Sequence, residues 1–566
     1  MAASRSRILL WSSLSGVLWA LAWPAIGGFV PLAFVAWLPL LHAERLHDER
    51  TEGRRRAFAP YVLPALFIWN LACSWWFWCV SEPVSTKLVS VGAPVLVNTC
   101  FMLVPWWLKR MVRRRLGERQ ALIGFILFWL AMERMRHSGD LQWPWFSMGN
   151  VFATAPQWVQ WYEWTGMLGG SFWVLLVTLL LDKAIAAWKR GHPGVGLRLA
   201  TASLASVLLL SAFSLWRFNA FGPDKGPSVE VVVVQPNVDP YSEKYGGVDA
   251  LEQLEDMLAQ AAAVMTDSTV LVVMPETALQ ENATVDMSSG VPRFNGLWEN
   301  DLMASRSAQR IKRFQAEHPH AAVLSGMSSD YLFPAQQADL PITARPLFRE
   351  EPGTMVRQRW YESYNAALFM PVQGSVRHYH KSKLVAGVEL MPFEELLGPL
   401  KGLSVDLGGT TGSLGQQQER SVLADPASGI SVVPAICYES VFGEHVAAHV
   451  RNGGNVIAIM TNDAWWGDSP GYHQHLSFAS LRAIETRRAI ARSANTGISC
   501  FVDQRGVMRE CTDYAVPDAR RGRVHLNDRL TFFVRHGDVI GRAAEGASLL
   551  LLLVMIFRRI RGTARQ

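Results

Sequence analysis

Cysteine is scarce in this chain and follows no ligand spacing. The six are Cys73, Cys79, Cys100, Cys437, Cys500 and Cys511, and none belongs to a CxxC pair or a Cys/His cluster. A disulfide framework and a zinc site are therefore not expected. Cys500 and Cys511 keep one option open, pairing with each other if their domain lies outside the cytosol. Charge is sparse too, at 18% of residues. The formal net charge is +6 and the pI about 9.0, but the basic residues cluster beside apolar runs instead of spreading over a face suited to nucleic acid. In that position they orient a membrane protein. The apolar runs hold few central ionisable residues, which argues against a transporter. After the basic leader Met1–Arg7, the run from Ile8 has no clear small-residue cleavage site, so it reads as a retained helix and not a signal peptide. His473 and His475 have no acidic or cysteine partner to complete a ligand set, so no metal and no organic cofactor is expected, and core or surface roles are left to them.

Apolar residues are abundant. Half of the 566 residues are hydrophobic and 23 are tryptophan. The length calls for two or more domains, and the apolar density is concentrated before Phe221. Candidate spans are Ile8–Val30, Pro31–His42, Tyr61–Val80, Leu88–Leu108, Ala121–Met135, Gly170–Trp188 and Leu197–Trp216, with a last over Ala543–Phe557. Most approach the length that crosses the hydrocarbon core; the second and the last are short. The expected division is a membrane domain over 1–218 with about seven transmembrane helices, a second domain over 219–540, and a final helix with a basic tail over 541–566. Basic residues fall in every second loop: Arg5 and Arg7; Arg45, Arg50, Arg54, Arg55 and Arg56; Lys109, Arg110, Arg113, Arg114, Arg115 and Arg119; Lys189, Arg190 and Arg198; Arg558, Arg559, Arg561 and Arg565. By the positive-inside rule both termini are cytoplasmic and the segment from Asn219 to Gly541 lies outside the cytoplasm.

Among the opposite-side loops, His137–Phe146 stands out for Trp143 and Trp145. These tryptophans are either interfacial anchors or a membrane-level surface leading a lipid substrate to the outer domain. Glu133 is read as a helix-end charge or as a partner of Arg134 or Arg136.

The outer segment alternates strands and helices. Val229–Val234 opens it, followed by a helix over Asp249–Met265 with Leu251, Leu254, Leu258 and Ala261 on one face. Thr269–Val273 is the next strand, then a helix over Ala304–Ala316 and a strand over Ala321–Ser325. Asp330–Arg359 is polar, proline-bearing and aperiodic, and reads as a loop or lid. Strands follow at Asn365–Met370, Val432–Ile436 and Asn455–Met460, helices at Val441–Val450 and Ser477–Arg492, and a hairpin over Ser499–Met508. Continuous apolar strands alternating with helices predict a layered α/β domain with buried sheets.

Three strand ends carry chemistry. Val432–Ile436 runs into Cys437, Tyr438 and Glu439; Thr269–Val273 runs into Met274, Pro275 and Glu276; and Tyr379-His380-Lys381 precedes Leu384-Val385. A thiol needs a base and a positive neighbour before it can act as a nucleophile. Cysteine, glutamate and lysine at neighbouring strand ends therefore suggest an acyl-transfer site. Taken singly, a core cysteine, a surface carboxylate and a solvated lysine are the competing readings.

The ordered set resembles the nitrilase, or carbon–nitrogen hydrolase, superfamily, and the helices before and after it resemble the apolipoprotein N-acyltransferases of bacterial envelopes. The resemblance rests on Pro275–Ala278, His380–Lys381 through Leu384–Val385 and Glu389, Ile436–Glu439, Thr461–Trp466, Arg492–Ser499, and Thr531–Arg535 with Gly537 and Asp538. It implies a multi-span α-helical membrane domain joined to a four-layer αββα sandwich. It also implies a triad in which Cys437 is the nucleophile, Glu276 the base and Lys381 the oxyanion partner. Glu389 and Glu439 are implied as supporting carboxylates, while Tyr438 and Trp466 either border an acyl pocket or simply pack. Asn462 and Asp463 are expected to hold the loop after their strand. The implied reaction moves an acyl chain from a phospholipid to Cys437, then to the α-amino group of a diacylglyceryl-cysteine on an apolipoprotein, in a monomeric enzyme of the bacterial inner membrane whose catalytic domain is periplasmic. The chain departs from the family at Met274, where tryptophan is usual, and at Ala386-Gly387-Val388, where proline, phenylalanine and glycine are usual. Those departures bear on substrate preference and rate. A membrane-tethered amidase with the same triad, and a lipoprotein-binding scaffold with a degenerate site, are the alternative readings.

Overall fold

The computed structural model describes residues 4–51, 56–222, 226–240, 248–287, 291–351, 354–393 and 413–563. Arg54, Arg55 and Arg565 of the orienting clusters lie outside them. Helices dominate the first part: α1 (Arg5–Ala22), α2 (Leu38–Arg50), α3 (Ala59–Ser74), α4 (Val84–Leu116), α5 (Glu118–Met135), a single turn α6 (Tyr162–Thr165), α7 (Met167–Lys189) and α8 (Pro193–Ala220). Among the described residues, five segments are long and apolar enough to cross a membrane: Ala59–Cys79, Val84–Leu116, Met167–Lys189, Pro193–Ala220 and Val539–Arg558. Tryptophan fills the bundle's centre. Trp19 stacks on Trp69 at 4.5 Å, and Trp37 meets Trp106 and Trp129 at 5.6 and 5.2 Å. Such ring pairs hold helices together where lipid tails on the outside offer no hydrophobic driving force.

One end of the bundle is charged and internally paired. Arg113 of α4 reaches Asp48 of α2 at 2.5 Å, Arg110 reaches the same carboxylate at 2.9 Å, and Lys109 meets Glu44. Arg45 reaches Asp182 of α7 at 2.5 Å. The basic segments after α2, α4 and α7 therefore gather at one end, as alternate loops must.

The span expected over Pro31–His42 does not form. Val30–Phe34 is a 3₁₀ turn with proline at its start, and α2 begins at Leu38 with Pro39 in its first turn. Proline initiates both pieces because its fixed φ suits a helix start and its missing N–H costs nothing there. Glu133 also departs from expectation. It is buried beside no ion partner among the described residues, and accepts from Trp129 Nε1 at 2.7 Å and from the Met148 N–H at 2.8 Å. Arg134 turns instead to Glu444, Asp538 and Glu545, at 2.7, 3.3 and 3.0 Å.

The α/β part holds two facing sheets. In chain order the strands are β1 (Ser228–Gln235), β2 (Thr269–Val273), the small hairpin β3 (Thr284–Asp286) and β4 (Arg293–Asn295), β5 (Ala322–Leu332), β6 (Arg345–Glu351), β7 (Thr354–Met370), β8 (Arg377–His380), β9 (Leu423–Asp425), β10 (Ile430–Ile436), β11 (Val456–Thr461), β12 (Ile490–Ala494), β13 (Cys500–Val502), β14 (Met508–Arg509) and β15 (Asp518–His525). The first sheet runs β15-β1-β2-β5-β7-β6, with β8 also on β7; the second runs β14-β13-β12-β11-β10-β9. Helices α9 (Ala250–Val264) and α10 (Arg306–Glu317) connect the parallel core β1-β2-β5. Helices α11 (Gly443–Arg451) and α12 (Pro470–Thr486) connect β10-β11-β12. A short α13 (Phe532–His536) leads into the last helix, α14 (Val539–Thr563).

Strand alternation sorts the core. Val231 and Val233 face the second sheet, together with Val432, Ile436 and Met460. Val232 and Val234 face α9 and α10, and Val433 and Ala435 face α11 and α12. The result is helix, sheet, sheet, helix: a four-layer αββα sandwich whose central strands are apolar on both faces. Each valine so buried contributes about 1.5–3 kcal/mol.

Two expectations fail inside this domain. Asp330–Arg359 is not mainly a loop: β5 continues to Leu332, and β6 with β7 forms a long hairpin, so that among the described residues the irregular part is the stretch near Pro334–Pro341. The hairpin sits at a sheet edge with little apolar patterning, so periodicity does not reveal it. The helix expected over Ser477–Arg492 begins earlier, at Pro470, and ends at Thr486 with Arg487 in the left-handed region at φ 52°. Arg492 lies in β12. Arg487, Arg488 and Arg492 are all buried against carbonyl oxygens, so they mimic a solvated helix in sequence while sitting in the interior.

Candidate active site

Each proposed chemical residue stands past the carboxyl end of a strand. Glu276 follows β2, Lys381 follows β8 and Cys437 follows β10, and all three are buried. Lys381 Nζ reaches Glu276 Oε1 at 2.9 Å and Glu389 Oε1 at 2.8 Å. Asn365 Nδ2 donates to the same two oxygens, at 2.8 Å each. Glu276 Oε2 accepts the Asn462 N–H at 3.1 Å, and Glu389 Oε2 accepts the Val385 N–H at 2.9 Å. The carboxylates are thus aimed before any substrate arrives, as preorganised chemistry requires.

Backbone conformation aims the groups as well. Cys437 has φ 50° and Thr277, next to Glu276, has φ 48°. Non-glycine residues enter this region at a cost and persist where the surroundings hold them. The turn at Cys437 lifts the thiol off the end of β10 into the cavity. Behind Glu276 the backbone of Gly326 comes so close that an added Cβ would lie 2.5–2.6 Å from Pro275 O, Thr277 N and Glu276 Cα.

Electrostatics separates the roles. Burial opposes the Lys381 charge, but Glu276, Glu389 and Cys437 outweigh it and hold the ammonium well above the ordinary lysine value. Burial, with Glu276 next, pushes the Cys437 thiol well up, against the pull of Lys381. The resting site therefore favours a protonated thiol beside a lysinium, and Glu276 shares the cavity with both.

Glu439 has a different task. Its Oε1 accepts from the Ser382 N–H at 2.6 Å and Tyr379 OH at 2.7 Å; its Oε2 accepts the Ile436 N–H at 2.9 Å. It ties the cysteine turn to the lysine turn. Burial acts against its charge, yet His445 and these N–H groups bring its carboxyl down to about 2.

The roof comes from the helical part. The loop before Ser147 docks by Tyr438 OH to the Gln142 carbonyl at 2.9 Å and Lys383 Nζ to Gln142 Oε1 at 3.1 Å. Trp143 stacks on Trp145 at 5.6 Å and 15°, and Trp76 meets Trp466 edge-on at 4.8 Å. These rings border a cavity of about 480 Å³ that contains Glu276, Lys381 and Cys437 and extends between the Trp76–Val80 segment and α4 past Val97 and Phe101. The structure thus brings together Glu276, Lys381, Cys437, Glu389, Tyr438, Trp466, Trp143 and Trp145, with Glu439 behind them. Trp145 is buried and donates to Gln474 Oε1 at 2.7 Å, so its part in the wall is also structural.

Sequence reasoning missed three groups. Asn365 was seen only as the start of a strand. His475, left to the core, spans Asp463 Oδ1 at 3.0 Å and the Cys437 carbonyl at 3.1 Å, and Asp463 is gripped by Arg492 at 2.6 Å. Asp463 and His475 therefore brace the Cys437 backbone as well as their own loop; an arginine amid the apolar residues of β12 is the signal that a buried carboxylate awaits it. Arg136 is the third. It lines the cavity, 4% exposed, its guanidinium over the Phe101 ring at 5.9 Å, with no side-chain hydrogen bond among the described residues.

Known proteins match this arrangement on both sides of the cavity. Residues 15–180 match the model of the apolipoprotein N-acyltransferase N-terminal domain and residues 233–512 that of carbon-nitrogen hydrolase. An apolipoprotein N-acyltransferase of Chlorobaculum tepidum is 29% identical over 96% of this chain and 96% of its own. One of Geobacter metallireducens is 27% identical over 98% of this chain and 96% of its own. Among solved structures, an amidase from Nesterenkonia sp. aligns over 55% of this chain and 94% of its own at 16% identity and a TM-score of 0.34. Saccharomyces cerevisiae Nit3, of the nitrilase superfamily, does so over 54% and 93% at 13% identity and a TM-score of 0.35. Fold and site define a carbon–nitrogen hydrolase-type domain built onto a multi-pass membrane bundle. Within that class, the chain is similar over nearly its whole length to apolipoprotein N-acyltransferases.

Proposed function

We propose that this enzyme N-acylates lipoproteins by a two-step transfer through Cys437. In the first step Glu276 takes the thiol proton as Sγ attacks an acyl ester carbonyl. Lys381 Nζ donates to the oxyanion of the tetrahedral intermediate, an interaction of a kind contributing about 3–4 kcal/mol. The intermediate collapses as Glu276 returns the proton to the departing alkoxide, leaving a thioester on Cys437 and a lyso-lipid. In the second step the α-amino group of a diacylglyceryl-cysteine attacks the thioester. Glu276 accepts the amine proton and passes it to the leaving thiolate, and the product is an amide. The roof of Trp143, Trp145 and Trp466 keeps water from the thioester between steps.

The observation that carries this reading is the single cavity in which a Glu–Lys–Cys set meets an apolar passage between membrane helices. A small-amide hydrolase has no use for that passage. Support for a phospholipid as acyl donor comes from Arg136: a buried guanidinium facing the cavity suits a phosphate. The proposed layout is a membrane domain over 1–218, a catalytic domain over 219–540 outside the cytoplasm, and a last span with a cytoplasmic basic tail over 541–566. The proposed setting is a bacterial inner membrane with the catalytic domain periplasmic, and the enzyme works as a monomer.

The test is the intact mass of the purified protein after incubation with phosphatidylethanolamine, beside Cys437→Ala. One added acyl chain, absent in the variant and discharged by a diacylglyceryl-cysteine peptide, is the expected result. Discharge by water alone would make it a hydrolase, and no adduct with any phospholipid would overturn the reading.

A further inference from the structure

The expectation that the chain holds no metal rests on the cysteine spacing and on His473 and His475, but another pair of histidines is placed differently. His378 and His380 lie two residues apart on β8, so their side chains leave the same face while Tyr379 points into the core toward Glu439. Opposite them, at the start of the 3₁₀ segment Glu299–Ala304, stands Glu299, whose side chain is nearly buried. His380 Nε2 lies 2.8 and 2.9 Å from the two Glu299 oxygens, and His378 Nε2 lies 3.6 Å from Oε2. One donor atom from each of the three residues falls within 4.8 Å of the others. None of the three lines the catalytic cavity.

We propose that Glu299, His378 and His380 form a binding site for a divalent transition metal ion of the zinc type. Two imidazole nitrogens and one carboxylate oxygen are a borderline donor set, which favours zinc, nickel, cobalt or copper over magnesium and calcium. Ligand bonds of about 2.0–2.2 Å around a tetrahedral ion place neighbouring donors roughly 3.3 Å apart. The separations of 2.8, 2.9 and 3.6 Å bracket that value, so small side-chain shifts admit the ion.

The surroundings are those of a held ligand set. Ser329 Oγ donates to Glu299 Oε1 at 2.6 Å and fixes the carboxylate, as outer partners do around bound metals. The Tyr364 ring lies flat on His380 at 3.8 Å and 12°, which sets the imidazole plane. His378, with 35% of its side chain exposed, gives the ion a way in from solvent and leaves room for water as a further ligand. The residue after His380 is Lys381, so an ion here clamps the 3₁₀ segment to the strand that presents the oxyanion lysine. The role is one of positioning and does not depend on the identity of the acyl acceptor.

The experiment uses the tag-free full chain in detergent, stripped with chelator and titrated with Zn²⁺ by calorimetry, then with Co²⁺ by visible absorption. The expected result is one Zn²⁺ per chain, a Co²⁺ spectrum of low coordination number, and a rise in thermal midpoint on Zn²⁺ addition. His378→Ala and Glu299→Gln should each weaken binding on the order of tenfold or more, and Ser329→Ala by about tenfold. His378 is the surest probe because its exposed ring leaves the fold intact when removed. Absence of stoichiometric Zn²⁺ binding overturns the proposal, as does binding of equal affinity in His378→Ala.

Discussion

The floor and the roof of the catalytic cavity are built by opposite rules. The floor comes from the α/β domain, is polar, and leaves little to chance: Glu276, Glu389 and Glu439 each accept from fixed N–H, hydroxyl, amide or ammonium donors. The roof comes from the helical bundle and the loop before Ser147, joined by Trp466 of the α/β domain. It is built of Trp76, Trp143, Trp145, Phe101 and Val97, and its one notable charge is Arg136. A buried polar network loses much when any member goes, because the partners are stranded. An apolar wall loses in proportion to the area removed. Chemistry should therefore be brittle to changes in the floor, and substrate choice graded to changes in the roof.

The largest effect is expected at Cys437, the proposed nucleophile. Cys437→Ala should abolish the acyl adduct and lower peptide acylation on the order of 10⁴-fold or more. Glu276→Gln should lower both steps by about 10²–10⁴-fold. Intact mass and transfer to a diacylglyceryl-cysteine peptide read both variants. A Glu276→Gln enzyme that acylates itself at the normal rate would break the assignment of the base.

Glu439 should separate structure from chemistry within the floor. Glu439→Gln leaves the Ser382, Tyr379, Ile436 and His445 donors facing an amide, and should cost about 3 kcal/mol of stability. Because the folded carboxyl is held down near 2 against an ordinary 4.5, its contribution is complete above about pH 4.5 and is lost as the pH falls toward 2. The gap in thermal midpoint between wild type and Glu439→Gln should close over that window. A gap that persisted to pH 2 would mean that the carboxylate charge is not what the turn depends on.

The same contrast governs what could be seen in the sequence. The layered α/β domain was legible because Val231–Val234 and Val432–Ile436 are apolar on both faces, which only a doubly covered strand requires. Glu276, Lys381 and Cys437 were legible as strand-end residues, and five of the eight expected spans as apolar runs. What stayed hidden was burial of charge. Lys381 sits between His380 and Lys383 and looks solvated, yet it is enclosed by partners that arrive from β2 and the turn at Glu389. Arg492 read as the end of a helix because a guanidinium satisfied by Asp463 and the Ile498 carbonyl is indistinguishable, residue by residue, from one in water. Asn365 gave no signal, since an amide in an edge-to-centre strand has no period of its own. Such partnerships are long-range, and no local pattern encodes them.

The roof should respond more gently. Trp466→Ala and Trp143→Ala each remove a ring from the passage and should raise KM for long-chain donors about tenfold, with smaller change in kcat and little effect on short-chain donors. Steady-state rates across a series of acyl lengths test this. Loss of kcat that ignores chain length would show that the rings serve the chemistry and would erase the distinction between floor and roof.

The smallest effect on activity is expected at Cys500 and Cys511, yet it bears on which side of the membrane the floor faces. Phe501 pairs with Arg509 and Val502 with Met508, whereas the Thr512 N–H reaches the Ser499 carbonyl at 2.9 Å. The register slips by one residue between these pairs, and Glu510, at φ 50°, takes up the extra residue. The slip sets Cys511 across from Cys500. The neighbouring thiol lowers Cys511 from the ordinary cysteine value, while Cys511 and burial push Cys500 well above it. A lowered thiol opposite a second cysteine favours disulfide exchange. In an oxidising compartment the pair should close, so both cysteines should resist alkylation in fresh membranes until a reductant is added. Cys500→Ser should change acyl transfer less than twofold, because neither thiol lines the cavity. Alkylation of both without reductant would favour a reducing compartment and count against the outward placement of the catalytic floor.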